Sequence, residues 1–385
     1  MTHTVTHRFL ESHAPKTREL MWRAFLLFAA TRALVFAGAY LWLCCDPQQA
    51  ALDPGSALWH GDPGGRAAAA QPWLRWDALW FLHTARDGYV YTPGAQCNLS
   101  IFPLYPMLIS LLARTGLDPV WAGVLISNAC LFGAVCLLLR VAWPRVGGAA
   151  AQRAAAALLL FPPAFVLSGV YSESLFLFAV LGAFYFADRR EWAEAGLCGF
   201  AAALTRVTGA ALALPLAVMF FANRPRGESA ARALWLLLPP LAAVLFLAYV
   251  HGGTGSWTTY FDAQAHWDKQ LSPPWVGLGW ELFGGAWRLD RVLNVASFAL
   301  FAALGVIAWR RLGPGWGLFV ALGVIVPACS SRWIGMPRYM LVLFPAFVAL
   351  GAMLKNRWAF AAWAAGSAAL LLVSFRAFLN WNISF

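Results

Sequence analysis

Along this chain apolar runs follow one another, each about as long as the hydrocarbon core of a bilayer is thick, with short basic turns between them. Spanning that core takes roughly 20 apolar residues in one helix, with about 17 as a practical minimum. Such runs lie near 20–43, 119–141, 149–168, 171–187, 232–250, 291–309, 314–331, 337–354 and 358–376. The stretch 192–221 is too long for one crossing and is interrupted by Thr205-Arg206-Val207-Thr208-Gly209, so two short helices meeting at that turn fit it better. The expected fold class is therefore all-α: a polytopic membrane helix bundle of about 11 transmembrane helices in a single domain, 1–385. The first run follows a polar start and is too long for a cleavable signal, so it reads as a signal anchor. No strand pattern, soluble domain or internal repeat is evident, and the lack of a repeat weighs against a transporter built from symmetric halves.

The basic turns set an orientation, because Lys and Arg collect on the cytoplasmic side. With the N-terminus inside, that side receives Arg8, Lys16 and Arg18, then Arg140, Arg145 and Arg153, and then Arg189 and Arg190. Arg224, Arg226 and Arg232 follow, then Arg310 and Arg311, and finally Lys355 and Arg357. A miscounted helix would invert every later turn, so the unbroken agreement supports the count. Two outer segments, 44–118 and 251–290, are too long to be connectors and hold short amphipathic patterns. In 75–89, Trp76, Leu79, Trp80 and His83 recur at helical spacing, which predicts a helix lying along the interface.

Composition excludes a soluble reading. Hydrophobic residues make up 61% and charged residues 12%, against about 25% charged in a soluble domain. The net charge of +11 would elsewhere suggest nucleic acid, but here the basic residues are topology determinants and no nucleic-acid partner is expected. Seven cysteines show neither a C-x-x-C pair nor a metal-ligand cluster. Cys130, Cys136, Cys198 and Cys329 sit in apolar runs, whereas Cys44, Cys45 and Cys97 could form one disulfide on the outer face.

The topology sends an unusual set of polar residues to that outer face: Arg75 and Asp77, Tyr171 and Glu173, Arg206, the stretch 260–269, and Arg332, Arg338 and Tyr339. Charges at membrane depth are costly unless paired or functional, and one outer cavity where they converge is the economical explanation. Asp77 stands in Arg75-Trp76-Asp77-Ala78-Leu79-Trp80. It is either a loop carboxylate paired with Arg75 or Arg86, or an acid whose aromatic flanks wall a sugar ring and whose partial desolvation raises its basicity. Asp87, before Gly88, reads as a turn or cap residue. The prolines of Phe102-Pro103-Leu104-Tyr105-Pro106 set the angle of the next helix. Glu173 opens a helix, where the dipole alone favours an acid. Arg206, at the apex of a broken helix pair, needs an anion, either Glu173 or a phosphate, and Arg338-Tyr339 raises the same question. Arg32 lies mid-helix, which suggests burial against the bundle but assigns it no role, while His251, Asp262, His266 and Asp268 lack metal spacing and read as solvated loop residues.

Taken in order, these motifs resemble a known family. Arg75-Trp76-Asp77-Ala78-Leu79-Trp80-Phe81, Gly88-Tyr89 and Phe102-Pro103-Leu104-Tyr105-Pro106 look like the first outer loop of PIG-V mannosyltransferases, the GPI mannosyltransferase II family and its bacterial relatives. Tyr171-Ser172-Glu173-Ser174 with Leu204-Thr205-Arg206 is similar to its central block, Gln264 and Trp267 with Pro273-Pro274-Trp275 to its second outer loop, and Pro337-Arg338-Tyr339 with Phe344-Pro345 to its late helix.

The resemblance implies a C-type glycosyltransferase (GT-C) fold that takes a sugar, mannose in this family, from a polyprenyl-phosphate donor to a lipid or glycan acceptor. The site would face the periplasm of a bacterial inner membrane, or the lumen of the endoplasmic reticulum. The family's essential acid falls on Asp77. The donor phosphate is assigned to Arg206, Arg338 and Tyr339, and the remaining substrate contacts to Arg75, Trp76, Trp80, His83, Tyr171, Glu173, Gln264 and Trp267. The chemistry is consistent with this: a lipid phosphate is already a good leaving group, so one base suffices, where a glycosidase needs two carboxylates. No cofactor and no metal are expected, because arginines can stabilise the leaving phosphate and no acidic pair for Mg²⁺ stands out. A single displacement inverts the anomeric centre. The alternative is a flippase of lipid-linked sugars without transferase chemistry, which expects polar groups at the bilayer midplane and on both faces. A third reading, a non-catalytic binding subunit, expects Asp77, Arg206 and Arg338 to lie far apart.

Overall fold

A computed structural model of the protein describes residues 17–46, 68–225, 228–267 and 270–383. Arg8, Lys16, Arg226, Asp268 and the part of the first outer loop at 47–67 lie outside the described residues. Within them the chain is helical and forms no β-strand; an isolated bridge joins Leu271 to Ser330.

Helix α1 (Thr17–Cys45) is followed by a 3₁₀ turn at Ala68–Trp73, α2 (Asp77–Asp87) and α3 (Leu104–Ala113). Then come α4 (Pro119–Val146), α5 (Gly148–Leu160), α6 (Glu173–Asp188), α7 (Trp192–Thr205) and α8 (Ala213–Asn223). α9 (Leu238–Thr254) leads into two short outer helices, α10 (Thr259–Ala265) and α11 (Pro274–Phe283). The chain closes with α12 (Leu289–Leu312), α13 (Pro314–Ala328), α14 (Met336–Leu341), α15 (Phe344–Met353) and α16 (Arg357–Leu379).

Local chemistry explains the ends of these helices. Asp118 caps α4 by accepting from the Val120 N–H at 2.8 Å, with Pro119 where its missing N–H costs nothing. Asn356 caps α16 by accepting from Trp358 and Ala359. Small residues let the interior helices touch: Ala151, Ala154, Ala155 and Ala157 of α5 are fully buried, and Gly351 of α15 lies against the α5 backbone.

Five helical stretches are long and apolar enough to cross a membrane: Thr17–Cys45, Pro119–Val146, Ala230–Thr254, Leu289–Leu312 and Arg357–Leu379. Shorter apolar helices pack among them. Large apolar side chains face outward, among them Trp22, Phe25 and Leu26 on α1, Leu241, Val244 and Leu245 on α9, and Leu370 and Val373 on α16. A surface of that kind is solvated by lipid, and the chain is an integral membrane protein.

The interrupted stretch at 192–221 breaks where the charge stands. α7 ends at Thr205, Arg206 is extended, and a 3₁₀ segment at Val207–Leu212 leads into α8. Gly209 makes this return possible: a Cβ there would lie 2.5 Å from the Ala202 and Ala203 backbone. Two other runs differ from the sequence reading. The run 149–168 is not one helix; α5 stops before Phe161-Pro162-Pro163, and a 3₁₀ turn follows at Ala164–Leu167. Pro163 has no N–H to give the Leu159 carbonyl, and the Arg32 guanidinium donates to it instead at 3.0 Å, also reaching Ala164 O and Ser168 Oγ at 3.0 Å each. The mid-helix charge thus repairs a proline break. Likewise 337–354 divides into α14 and α15, with Pro345 in the first turn of α15.

The basic turns gather at one end of the bundle. There Arg140 donates to Thr17 Oγ1 at 2.9 Å, Arg145 pairs with Asp188 at 2.6 Å, and Arg153 donates to Gly351 O at 2.9 Å. The opposite end holds the starts of α2, α6 and α14, the break at Arg206, and α10 and α11. Helix α2 is amphipathic and packs onto the bundle. Its apolar face is buried, with Phe81 against Tyr105 at 5.2 Å and Tyr171 at 6.3 Å. No disulfide joins Cys44, Cys45 and Cys97; the first two are exposed at the end of α1, whereas Cys97 is buried with Leu99, Phe102 and Phe246.

Candidate active site

Four charged side chains from four separate elements meet at that opposite end. Arg338 Nη2 lies 2.7 Å from Asp77 Oδ2, and its Nε lies 2.9 Å from Glu173 Oε1. The same Glu173 oxygen accepts from Arg206. Glu173 is fully buried, Arg338 and Arg206 nearly so at 8% and 14% exposure, and Asp77 is the open member at 30%. Unpaired, any of these charges would be prohibitive at such depth; together they balance.

Each is delivered by a helix end. Asp77 and Glu173 are the first residues of α2 and α6, where unpaired N–H groups favour an anion. Arg206 sits in the break after α7, and Arg338 in the first turns of α14, which opens from Gly335 at φ +72°. Aromatic rings support both guanidiniums: Arg338 lies 5.4 Å from the Tyr171 ring and Arg206 5.4 Å from the Tyr339 ring.

Beside this cluster opens a cavity of about 380 Å³. Asp77, Arg206, Arg338 and Tyr339 line it, with Gln264 and Trp267 from the second outer loop. Trp80 stands behind Trp267, edge to face at 5.0 Å. Tyr260, Arg332 and Trp333 also line the wall; the sequence reading placed the first two on the outer face without assigning them to the site. Burial pushes the Tyr260 phenol up to about 12, and its oxygen accepts from Gln264 Nε2 at 3.0 Å. Arg332 brings a third guanidinium to a site with two carboxylates, which suits an anionic ligand.

The remaining candidates lie away from the cavity wall. Tyr171 is buried beneath the cluster and donates its hydroxyl to Arg75 O at 2.8 Å. Arg75 is buried between the Trp42 and Trp381 rings, at 5.1 and 5.2 Å. Trp76 precedes α2 at φ +53°, packs on Trp381 at 4.9 Å and donates to Phe378 O. His83 does not line the cavity; its ring meets Trp80 edge to face at 6.4 Å, and Asn98 Nδ2 meets its Nδ1 at 3.3 Å. Asp87 closes that helix and pairs with Arg86 at 2.6 Å. His251 stacks on Trp257, and Asp262 accepts from Thr258, both apart from the cluster. Among the described residues no group of three His, Cys, Asp or Glu side chains is placed to hold a metal.

The comparisons with known proteins follow the same line. Residues 68–214 match the family described as mannosyltransferase (PIG-V). That segment carries Asp77, Glu173 and Arg206, and the match bears out the resemblance in the motifs. Among solved structures, ArnT from Cupriavidus metallidurans bound to undecaprenyl phosphate aligns over 93% of this chain and 76% of its own, at 14% identity and a TM-score of 0.53. The same protein in the apo state aligns over 79% of this chain and 70% of its own, at 15% identity and a TM-score of 0.46. No curated protein matches the sequence. The chain shares the GT-C fold with ArnT.

Proposed function

We propose that the protein is an inverting, metal-independent glycosyltransferase that moves mannose from a polyprenyl phosphate to a hydroxyl of a lipid or glycan acceptor. The observation that carries this reading is the meeting of Asp77, Glu173, Arg206 and Arg338 beside one cavity. The mannosyltransferase match supports the sugar, and the undecaprenyl phosphate held by ArnT supports the donor class.

In the proposed reaction the donor phosphate lies against Arg206, Arg338 and Tyr339. The acceptor oxygen attacks the anomeric carbon as the bond to the phosphate oxygen breaks, and Asp77 takes the acceptor's proton. Charge growing on the leaving phosphate meets guanidiniums already fixed by Glu173, so no reorganisation is required during the step. Arg338, with its fork of donors, contacts the base and the departing phosphate together. Trp267, Trp80 and Gln264 wall the sugar. In the orientation read from the basic turns, this end faces the periplasm or the lumen.

Purified protein in lipid nanodiscs with polyprenyl-phosphate mannose and a membrane lipid extract is the test. Transfer insensitive to EDTA, with inverted anomeric configuration in the product, is the expected result. No transfer with any lipid-linked sugar would refute the assignment.

A further inference from the structure

Helix α11 is built inside out. Trp275, Val276, Trp280 and Phe283 are exposed on it, Phe283 by 84%, whereas its carboxylate, Glu281, is turned inward and only 4% exposed. Burial pushes that carboxyl above the usual range. Outward aromatics suit a surface solvated by lipid, but a buried acid needs a partner. Asn294, in the second turn of α12, supplies one by donating from Nδ2 to Glu281 Oε2 at 3.3 Å. Asn294 is itself 6% exposed and has its amide fully engaged, with Nδ2 also donating to Trp333 O and Oδ1 accepting from Met336 N at 3.1 Å.

These two contacts bracket the strap that leads into α14. Trp333 lines the cavity, Gly335 turns the chain, and Arg338 follows two residues after Met336. The near side of the strap is tied down as well, by Trp333 Nε1 donating to Ala328 O at 3.1 Å and by Ser331 N donating to Gln270 O at 2.9 Å. We infer that Asn294 is a positioning residue: held by Glu281, it fixes the Trp333–Met336 strap and thereby sets Arg338 in the cavity. Neither residue touches the cavity. Their effect on an anionic ligand passes through Arg338, so this inference rests on the reading of Arg338 as a phosphate contact.

The test uses full-length protein in nanodiscs and two readouts: amide hydrogen exchange, and affinity for undecaprenyl phosphate. Asn294→Ala removes the strap's clamp, and exchange across 333–341 is expected to rise at least about tenfold, the scale of the two buried hydrogen bonds lost. Undecaprenyl phosphate affinity should fall by a similar factor. Glu281→Gln keeps a neutral acceptor for Asn294 and is expected to match wild type in both readouts. Glu281→Ala, which spares α12, should reproduce the exchange increase in part and serves where Asn294→Ala does not fold. In an Arg338→Lys background, Asn294→Ala should cost little further phosphate affinity, because both act through one group; a purely structural role would add its full penalty. Unchanged exchange at 333–341, or an increase spread evenly over the chain, would overturn the inference. A strap that loosens in a protein whose wild type binds no undecaprenyl phosphate would support the clamp and sink the phosphate reading instead.

Discussion

Replacing Glu173 by glutamine removes a charge shared by two guanidiniums while keeping the shape of the side chain. Glu173 is fully buried, and Arg338 and Arg206 are nearly so. Removing one partner of a buried ion pair costs about 3–5 kcal/mol, because the other is left uncompensated. Arg338 keeps Asp77 at 2.7 Å, so the lower end applies, about 3 kcal/mol. Each kcal/mol moves Tm by roughly 2–4 °C in chains of about 150–250 residues and less in longer ones, so a fall of about 5 °C is expected. An added anion reverses the sign: it meets one carboxylate fewer, so undecaprenyl phosphate should raise the variant's Tm more than that of wild type. Thermal unfolding of both proteins in nanodiscs, with and without that lipid, reads the two effects together. A variant within 1 °C of wild type without lipid, on a scale where about 3 kcal/mol shifts Tm several degrees, would refute the view that Glu173 holds the cluster together.

Arg32→Leu strips three carbonyl and hydroxyl acceptors near the α5 break of their donor, and a loss of about 3 kcal/mol is expected. It should appear in Tm with donor KM unchanged; a shift in KM instead would contradict a purely structural role. Glu281 gives a pH dependence. Its raised carboxyl faces Asn294, Arg291, Asp290 and the Trp333 backbone, and the folded protein keeps a proton that the unfolded chain has lost. Stability is therefore full below the ordinary carboxylate range and falls as pH rises from there through the raised value. Glu281→Gln should flatten that slope in Tm measured against pH, whereas an unchanged slope would assign it to other groups.

What could be read from the sequence was local or periodic. Apolar runs gave the crossings, and Arg206 gave the break in 192–221, because a charge followed closely by a glycine interrupts an apolar helix where it must turn back. The alternation of basic turns anticipated that the arginines of one end and the polar residues of the other would separate. Pairings across the chain were not legible. The partners offered for Asp77 came from its own neighbourhood, Arg75 and Arg86, and nothing in the sequence pointed to Arg338, which lies 2.7 Å from it and more than 250 residues away. Helical spacing put Trp76 and His83 on one face with Trp80; the Trp80 and His83 rings do meet at 6.4 Å, whereas Trp76 precedes the helix at positive φ. Breaks at Pro162-Pro163 and Pro345 carried a signal that was outweighed by the apolar runs around them. Asn294 offered only a lone amide near the start of an apolar helix, and its role depends on a strap some 40 residues further on.

The central claim is tested most directly by labelled mannose transfer from polyprenyl-phosphate mannose with wild type and Asp77→Asn side by side. Asparagine keeps the size of Asp77 but cannot take a proton. Transfer by wild type that falls at least about 100-fold in the variant, the low end for loss of a general base, with undecaprenyl phosphate binding retained, is the predicted result. Comparable turnover by both would contradict Asp77 as the base.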